Sequence, residues 1–460
     1  MMSVKKVYLI GIGGIGMSAL ARYYNHAGCI VAGYDRTESK LTQELAGEGI
    51  DIHYDDKVSS IPEIFRGSAN DTLVIYTPAV PADSDELGYF RENGYEVIKR
   101  SRALGHIASG KRTFAVAGTH GKTTTSTLLS HIMEDSGRGC TAFLGGISKN
   151  YHTNLLLSKN EILVAEADEF DRSFLQLWPY IGVITSVDPD HLDIYDNRNS
   201  FREAFGEFAS QIDPNGYLVV KDEVDDSVLK GVKAKIFRYS YKNISDFYAS
   251  DITVYEGGYF RFNLNHPGGV IENCTVGIPG WVNVENGIAA SAAALLGGVA
   301  PDKVKHALES FKGVERRFDI RIKSDKCSYI DDYAHHPKEI SAAISSIRNI
   351  FPNMKLTGIF QPHLYTRTRD FANDFAESLS ALDSLILLDI YPARELPIQG
   401  VTSRIIFDKV TIGEKALVTK DALMEELEKR EIETLITFGA GDIDRFVEPI
   451  TNYLKKRYNV

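Results

Sequence analysis

Short apolar runs alternate with longer amphipathic segments along most of the chain, a pattern typical of parallel sheets covered by helices. The runs predict strands at residues 4–10, 29–33, 72–76, 96–99, 114–117, 162–165, 180–186, 327–330, 356–360, 385–390 and 434–438. The segments between them predict helices through residue 26, after 122, over 201–211 and 279–290, and beyond 337. Residues 236–278 differ, because their alternating polar and apolar positions predict a run of antiparallel strands and hairpins.

Breaks in this pattern predict three domains, at residues 1–107, 108–314 and 315–460. A length of 460 residues is enough for about three domains, each with its own core. The predicted fold class is α/β. It comprises a Rossmann-like N-terminal domain, a central P-loop ATPase-type domain with a mixed sheet, and a C-terminal Rossmann-like domain.

The net charge of −11 argues against a general affinity for nucleic acid or anionic membranes. A phosphate-bearing ligand must therefore be held by local positive groups. The four cysteines lie far apart and form no C-x-x-C pair, which predicts a reduced, cytoplasmic chain without disulfides or a cysteine-based zinc site. The apolar run at the start is too short for a signal peptide, and residues 287–300 are too few to span a bilayer.

Residues 112–133 predict a strand, a glycine turn and a helix that together form a phosphate loop. The predicted nucleotide-binding residues are Gly118, Thr119, His120, Gly121, Lys122, Thr123 and Thr124. Lys122 supplies a positive charge for the β- and γ-phosphates, and Thr123 supplies a hydroxyl for Mg²⁺. The usual spacing would place glycine at Val116, so the loop is a shortened variant. The alternative is an ordinary glycine-rich turn between strand and helix.

A second glycine turn, G-I-G-G-I-G-M-S, follows the first strand, and Asp35 ends the second strand. This arrangement predicts a phosphate on the turn and a ribose or base near Asp35. The predicted ligand-binding residues of the turn are Gly11, Gly13, Gly14, Gly16, Met17 and Ser18. Such turns serve NAD, FAD and nucleotide sugars alike, so the turn does not identify its ligand.

Polar residues follow the predicted strands of the second domain. Glu166 comes directly after one strand and His191 lies in D-P-D-H-L-D after the next. Because the carboxyl ends of parallel strands share one edge, both residues can converge with Lys122. We therefore predict a metal site of Thr123, Glu166 and His191. The alternative for His191 is a polar loop with aspartate at a helix N-cap.

Other polar residues have two interpretations. Asn283 and Asn286 lie three apart on one predicted helix, where they cap the helix or read a purine edge. Arg317, in the R-R pair before the third domain, is a solvated surface residue or a phosphate clamp. Polar clusters after successive strands of the third domain, at D-D-Y-A-H-H-P and Q-P-H-L-Y-T-R-T-R-D, predict a ligand crevice.

Together these motifs resemble those of the Mur ligase family over nearly the whole chain. The resemblance implies an ATP- and Mg²⁺-dependent ligase that joins L-alanine to the carboxylate of UDP-N-acetylmuramate through an acyl phosphate, in cytoplasmic peptidoglycan precursor synthesis. The N-terminal turn favours the alanine-adding member, and the nearest relative adds a whole peptide. A non-catalytic nucleotide-gated binding protein is the alternative from another class. We expect a monomer or a homodimer.

The resemblance also implies roles for individual residues. Residues 1–107 would bind the UDP-substrate through the glycine turn and Asp35, so no nicotinamide is expected. Residues 108–314 would bind ATP, and residues 315–460 would close on ATP and the amino acid. Lys122, Glu166, His191, His335 and Arg367 would be catalytic. Asn283 and Asn286 would lie at adenine, Arg317 at phosphate and Asp332 at the ribose. Two positions depart from the family pattern, which usually has histidine at Val282 and arginine at Leu364.

Overall fold

The structure is a computed structural model that describes residues 4–67, 69–188, 195, 198–255, 257–393 and 395–460. The apolar runs lie in three sheets, and the central strands of each sheet have almost completely buried side chains. In the part of the chain that is described, no helix is long and apolar enough to cross a membrane.

The first sheet has five strands in the order β3-β2-β1-β4-β5, all parallel. Its strands are β1 (Lys6–Ile10), β2 (Ile30–Tyr34), β3 (Asp51–His53), β4 (Thr72–Tyr76) and β5 (Glu96–Lys99). The helices of this part are α1 (Ile15–His26), α2 (Lys40–Gly47), α3 (Asp85–Glu92) and α4 (Arg100–Ala108). Strand order changes direction at β1, so the turn after β1 lies where such sheets bind ligands.

The second sheet has ten strands in the order β15-β14-β13-β12-β11-β10-β6-β9-β7-β8. Its strands are β6 (Arg112–Ala117), β7 (Thr141–Ser148), β8 (Thr153–Leu156), β9 (Ile162–Glu166), β10 (Ile181–Ile184), β11 (Tyr217–Lys221), β12 (Lys235–Ser240), β13 (Phe247–Tyr255), β14 (Tyr259–His266) and β15 (Gly269–Thr275). Its helices are α5 (Lys122–Asp135), α6 (Arg198–Ser210), α7 (Trp281–Leu296) and α8 (Pro301–Ser310). Strand β6 lies between β10 and β9, so its following loop lies between theirs.

The third sheet has six strands in the order β16-β17-β21-β18-β19-β20, and only its edge strand β16 is antiparallel. Its strands are β16 (Asp319–Lys323), β17 (Ser328–Asp332), β18 (Leu356–Phe360), β19 (Ser384–Leu388), β20 (Glu414–Val418) and β21 (Thr434–Phe438). Its helices are α9 (Pro337–Ile350), α10 (Tyr365–Asp370), α11 (Ala372–Leu379), α12 (Arg404–Phe407), α13 (Leu423–Glu428) and α14 (Val447–Tyr458).

The chain packs as two compact units. The first contains the described residues through Ser250, together with Asn263–Cys274 and Glu285–Phe311; the second contains Asp251–Phe262, Thr275–Val284 and Lys312–Val460. One apolar core joins the first sheet to the second within the first unit, and it includes Leu9, Leu104, Ala115, Phe143 and Phe174. The predicted domain boundaries stay a prediction.

The prediction of an all-antiparallel run over residues 236–278 is wrong at its start. Strand β12 pairs in parallel with β13, with Tyr239 opposite Phe247. Alternation of polar and apolar positions shows that one face of a strand is buried, and it carries no information about strand direction. The antiparallel β7–β8 pair, β11 and the edge strands β3, β16 and β20 were not predicted. The three edge strands are short or only partly buried.

Candidate active site

The turn between β6 and α5 has a backbone that only glycine fits at two positions. Gly118 has φ +137°, and a Cβ there would clash with Thr185. Gly121, the N-cap of α5, has φ +80°, and its Cβ would lie 2.6 Å from Asn286 Oδ1. The turn therefore brings the free N–H groups of the first helical turn to one place, as a phosphate loop requires.

Side chains and backbone after β10 hold the outer part of this loop. The hydroxyl of Thr119 donates to the carbonyl of Asp188 over 2.7 Å, and the N–H of His120 donates to Ser186 Oγ over 2.9 Å. Thr123 and Thr124 are both buried in the first turn of α5. The structure thus brings together all the predicted residues from Gly118 to Thr124.

Lys122 folds back over its own loop and pairs with a buried carboxylate. Its Nζ donates to the carbonyl of Gly118 over 2.6 Å and lies 2.8 Å from Glu169 Oε2. Burial alone would lower the pKa of Lys122, but Glu169, with Glu166 and Asp168 nearby, raises it above its usual value. Burial raises the pKa of Glu169 to about 7, against the opposing effect of Lys122.

Glu169 was missed by sequence reasoning. It lies in the E-A-D-E motif, but only Glu166, the residue directly after the predicted strand, was given a role. The motif was the available signal. An irregular turn after β9, with left-handed backbone at Asp171 and Arg172, follows Glu169 and could not be read from the apolar pattern.

Glu166 ends β9 beside the phosphate-loop strand, with Val116 as its register partner. Its Oε2 is buried and has no hydrogen-bond partner among the described residues. The side chain covers Gly145 so closely that a Cβ there would clash. A buried carboxylate oxygen without a donor is suited to a cation.

Of the other two predicted metal ligands, Thr123 lies in the first turn of α5, and His191 lies outside the described residues. Within the described ranges, no group of three or more histidine, cysteine, aspartate or glutamate side chains is arranged to hold a metal. The metal site of Thr123, Glu166 and His191 therefore stays a prediction.

The asparagines predicted at adenine occupy different surroundings. Asn286 is buried against the phosphate loop, where its Oδ1 accepts a hydrogen bond from Thr125 Oγ1 over 3.3 Å. Asn283, one turn earlier on α7, donates from Nδ2 to the carbonyl of Pro279 over 2.6 Å. Asn286 is thus placed at the loop, and the Asn283 amide bonds the chain just before its own helix.

The glycine turn after β1 uses Asp35 as an internal partner. The N–H of Gly13 donates to Asp35 Oδ2 over 2.8 Å, and Thr37 donates to Asp35 Oδ1 over 3.2 Å. Gly11 has φ +86°, and a Cβ there would lie 2.5 Å from the Thr77 methyl. Ser18 is completely buried and donates to the carbonyl of Ile15. Asp35 and Ser18 therefore shape the turn.

A cavity of about 270 Å³ lies within the first unit, between the glycine turn and the end of β9. Gly14, Gly16 and Met17 line it on one side, and Glu166 lines it on another. Arg100 and Asp168 also line it, and neither was predicted. Arg100 lies among other basic residues, and Asp168, although it belongs to the E-A-D-E motif, does not directly follow the strand. The predicted substrate turn and the predicted catalytic carboxylate therefore share one cavity.

In the second unit, Asp332 ends β17 and is held by backbone donors. Its Oδ2 accepts from Phe318 N over 2.9 Å and its Oδ1 from Ala334 N over 2.7 Å. Burial raises the pKa of Asp332 to about 7. The guanidinium of Arg317 lies 4.7 Å from the centre of the Tyr333 ring, a distance typical of a cation–π contact.

His335 lies in the loop after β17, and Arg367 lies in α10 after β18, the strands on either side of β21 in the third sheet. The His335 ring lies 5.9 Å from His363, and its Nδ1 is 3.1 Å from the Tyr333 carbonyl. Arg367 is buried in α10. Leu364, where the family usually has arginine, is buried with φ +69°, an unfavourable conformation for leucine.

Three family descriptions match consecutive parts of the chain. "Mur ligase family, catalytic domain" matches residues 6–112, "Mur ligase middle domain" residues 116–294, and "Mur ligase, glutamate ligase domain" residues 316–441. The chain belongs to the Mur ligase family. The predicted family is thereby confirmed.

Relatives of this Mur ligase match it from end to end. The UDP-N-acetylmuramate–L-alanine ligase of Parabacteroides distasonis is 52% identical over 99% of the chain and 98% of the relative. That of Phocaeicola vulgatus is 51% identical over 99% of both.

Solved structures show the same architecture. The UDP-N-acetylmuramate–alanine ligase of Thermotoga maritima superimposes with a TM-score of 0.81 at 29% identity, over 97% of this chain and 99% of that one. A murein peptide ligase from Psychrobacter arcticus shares the fold, with a TM-score of 0.73 at 21% identity and 98% coverage of both chains. The predicted three-domain α/β fold is confirmed.

Proposed function

We propose that this Mur ligase joins L-alanine to the carboxylate of UDP-N-acetylmuramate at the expense of ATP. The observation that carries the proposal is the cavity in the first unit, where the glycine turn and Glu166 line the same space next to the phosphate-loop strand. A sugar nucleotide bound on the turn would extend its sugar toward the phosphoryl donor. The end-to-end similarity to two ligases that carry this activity in their names supports the same assignment.

The reaction proceeds in two steps. The muramoyl carboxylate attacks the γ-phosphorus of ATP, forming an acyl phosphate and releasing ADP. The neutral amine of alanine then attacks the acyl carbon, and the tetrahedral intermediate expels phosphate and a proton to give the amide. Both steps bring anions together, so positioning and positive charge supply most of the catalysis.

Residues of the first unit would carry the phosphoryl transfer. The loop from Gly118 to Thr124 would hold the phosphates, and Lys122 would exchange its buried partner Glu169 for phosphate oxygens. Asn286, at the loop, would lie toward the nucleoside, with Asn283 nearby in sequence on α7. The glycine turn from Gly11 to Ser18, shaped by Asp35, would hold UDP.

Residues of the second unit would serve the nucleotide and the amino acid. Asp332 would accept hydrogen bonds from the ribose, and Arg317 would pair with phosphate. His335 and Arg367 would lie toward the reacting carboxyl and the incoming amino acid. The Leu364 side chain is apolar, so any anion contact at this position must come from Arg367 or another neighbour.

A magnesium ion fits the chemistry of this site. Glu166 Oε2 is a buried oxygen without a hydrogen-bond donor among the described residues, and Thr123 lies at the second position of α5. Thr123, Glu166 and His191 would hold the ion, which would neutralise phosphate charge when bound. We infer further that the enzyme works in the cytoplasm as a monomer or homodimer, without nucleic acid or membrane. The absence of disulfides among its four cysteines supports a reducing compartment.

The test is phosphate release from ATP by the purified protein with UDP-N-acetylmuramate, with and without an amino-acid acceptor. We expect release to require UDP-N-acetylmuramate and to be fastest with L-alanine, with glycine, L-serine and a tripeptide as comparison acceptors. Release that prefers the tripeptide would indicate the peptide-adding relative. Nucleotide binding without release under any condition would indicate a non-catalytic binding protein.

Lys122→Ala provides the mutational arm, with the exposed Lys159→Ala as its control. Loss of a charge aimed at the transferred phosphoryl group should cost about 3 kcal/mol or more of transition-state stabilisation, roughly a hundredfold in kcat/KM. UDP-N-acetylmuramate binding should remain, because the glycine turn does not depend on Lys122. Near-normal turnover of folded Lys122→Ala protein would contradict the assignment.

A further inference from the structure

Arg100 is the one cationic side chain among the residues that line the cavity of the first unit. Two carboxylates, Glu166 and Asp168, line the same space. The protein as a whole carries a net charge of −11, so a negatively charged substrate entering this cavity gains no general electrostatic attraction. The negative charge of the substrate must therefore be compensated by a positive side chain at the cavity itself, and Arg100 lies in such a position.

Asp168 fixes the position of the Arg100 guanidinium. Nη2 of Arg100 donates to Asp168 Oδ2 over 3.2 Å, while Asp168 Oδ1 accepts from the N–H of Phe170 over 3.1 Å. The other N–H groups of Arg100 have no hydrogen-bond partner among the described residues. The arginine is thus held by one bond and keeps most of its five donors for another acceptor.

The guanidinium lies directly against the glycine turn. A Cβ on Gly16 would lie 2.8 Å from Arg100 Nη1 and 3.0 Å from its Cδ, so glycine at this position makes room for the arginine. Arg100 is the first residue of α4, and α4 packs in the core shared by the first two sheets through Leu104 and Ile107. The arginine is therefore attached to a rigid helix.

We propose that Arg100, positioned by Asp168, binds the diphosphate of the sugar nucleotide. The inference rests on the proposed function and adds a specific residue and a specific part of the substrate. A guanidinium offers two parallel donors to phosphate oxygens, a geometry that lysine does not reproduce. The guanidinium lies beside Gly16, which belongs to the glycine turn. This position favours the diphosphate over the muramoyl carboxylate, which is farther along the substrate.

Binding of three ligands to Arg100→Gln and Arg100→Lys tests the proposal. Calorimetry would use UDP, UDP-N-acetylglucosamine, which has no lactyl carboxylate, and UDP-N-acetylmuramate. We expect both variants to lose about 10- to 100-fold in affinity for all three, since the diphosphate is common to them. Arg102→Gln, an exposed arginine two residues along the same helix, should bind all three like the wild type.

Two results would overturn the inference. One is wild-type affinity of Arg100→Gln for UDP, including the case in which only UDP-N-acetylmuramate binding falls. The other is equal loss in Arg100→Gln and Arg102→Gln. Unchanged thermal unfolding of each variant shows that it is folded. If the wild-type protein ligates alanine while Arg100→Gln binds UDP normally, this inference fails and the proposed function stands. If the wild type does not bind UDP-N-acetylmuramate, the proposed function itself fails.

Asp168 acts through Arg100, so its variants are tested by comparing the KM values of the three substrates. Asp168→Ala should raise KM for UDP-N-acetylmuramate about tenfold and leave KM for ATP and alanine unchanged, because it releases Arg100 and otherwise removes only the local acceptor of the Phe170 N–H. Asp168→Asn keeps an acceptor oxygen and should restore part of this loss. Equal changes in all three KM values would assign Asp168 a general structural role and contradict the positioning role.

Discussion

Lys122 is held by a completely buried carboxylate as well as by its own loop. An ion pair removed from water gains little net stability, yet removing one partner leaves a buried charge and costs several kcal/mol. Glu169 is therefore suited to keep the lysine charged and oriented before a nucleotide arrives. The phosphates of ATP then offer the lysine acceptors that are negatively charged, like Glu169, so nucleotide binding replaces one ion pair by another.

Another buried acid lies on a helix that covers the first sheet, away from the proposed chemistry. Glu86, completely buried on α3, accepts a hydrogen bond from the Tyr8 hydroxyl over 2.8 Å, and its other oxygen is 3.2 Å from His53 Nε2. Burial raises the pKa of Glu86 to about 8. Burial also lowers the pKa of His53, so the imidazole is neutral above about pH 6.5.

The pKa of Glu86 predicts how stability depends on pH. The folded protein keeps a proton on Glu86 that the unfolded chain loses above about pH 4.5, so stability falls as pH rises toward about 8. Glu86→Gln cannot ionise and keeps an acceptor for Tyr8. Its stability advantage over the wild type should therefore grow by about 2 kcal/mol between about pH 6.5 and about pH 9.

Thermal unfolding between about pH 6.5 and 9 measures this difference above the titration of His53. Glu92→Gln, an exposed glutamate on the same helix α3, is the control and should follow the wild type at every pH. Parallel pH curves for the wild type and Glu86→Gln would show that Glu86 is ionised in the folded protein throughout this range.

At the scale of elements, the β7–β8 pair connects the second sheet to the first helix. Asn154 of β8 is completely buried, and its Nδ2 donates to the Ile15 carbonyl over 2.7 Å and to Ser18 Oγ over 2.9 Å. Its Oδ1 accepts from Arg22 Nη1 over 2.5 Å. One side chain thus bonds three groups on α1, directly behind the glycine turn.

We predict that Asn154→Ala uncouples the first sheet from the second. The substitution removes the acceptor of Arg22 Nη1 and one of the two side-chain donors to the Ile15 carbonyl, which should cost about 2 kcal/mol. Urea unfolding should become broader or show two steps. Asn160→Ala, whose side chain bonds the carbonyls of Arg138 and Gly139 between α5 and β7, should keep the wild-type number of steps. Identical unfolding profiles for the two variants would contradict the prediction.

The apolar pattern predicted most strands within one or two residues, because burial on both faces of a parallel strand leaves a continuous run. It could not predict direction at β12 and β13, where only one face is buried. It also could not predict the left-handed backbone at Leu364, because neighbours in space determine it: its N–H bonds the Tyr391 carbonyl.

The candidate site was predictable where a motif fixes the backbone, as at Gly118 and Gly121. It was not predictable where the role of a single charged residue depends on a partner distant in sequence. Glu169 matters because it pairs with Lys122, and Arg100 matters because it contacts Gly16 and Asp168. Such pairs are separated by tens of residues in sequence, and no local pattern joins them.

At the scale of the whole molecule, the proposed ligand groups are divided between the two compact units. The glycine turn, Arg100 and the phosphate loop belong to the first unit, and Asp332 and His335 belong to the second. Each ligand should therefore change the protection of a different set of backbone amides, which hydrogen exchange can measure for every segment at once.

Hydrogen exchange with ligands added one at a time tests which segments each ligand contacts. UDP-N-acetylmuramate alone should slow exchange at residues 11–18 and 100–108, because these segments surround its proposed cavity. A non-hydrolysable ATP analogue with Mg²⁺ should slow exchange at 118–127 and also at 331–339, since Asp332 is expected at the ribose. Helix α14 serves as an internal reference and should not respond. In Lys122→Ala the response to the ATP analogue should weaken, while the response to UDP-N-acetylmuramate stays. If residues 331–339 respond to no ligand or combination of ligands, the roles proposed for Asp332 and His335 are wrong.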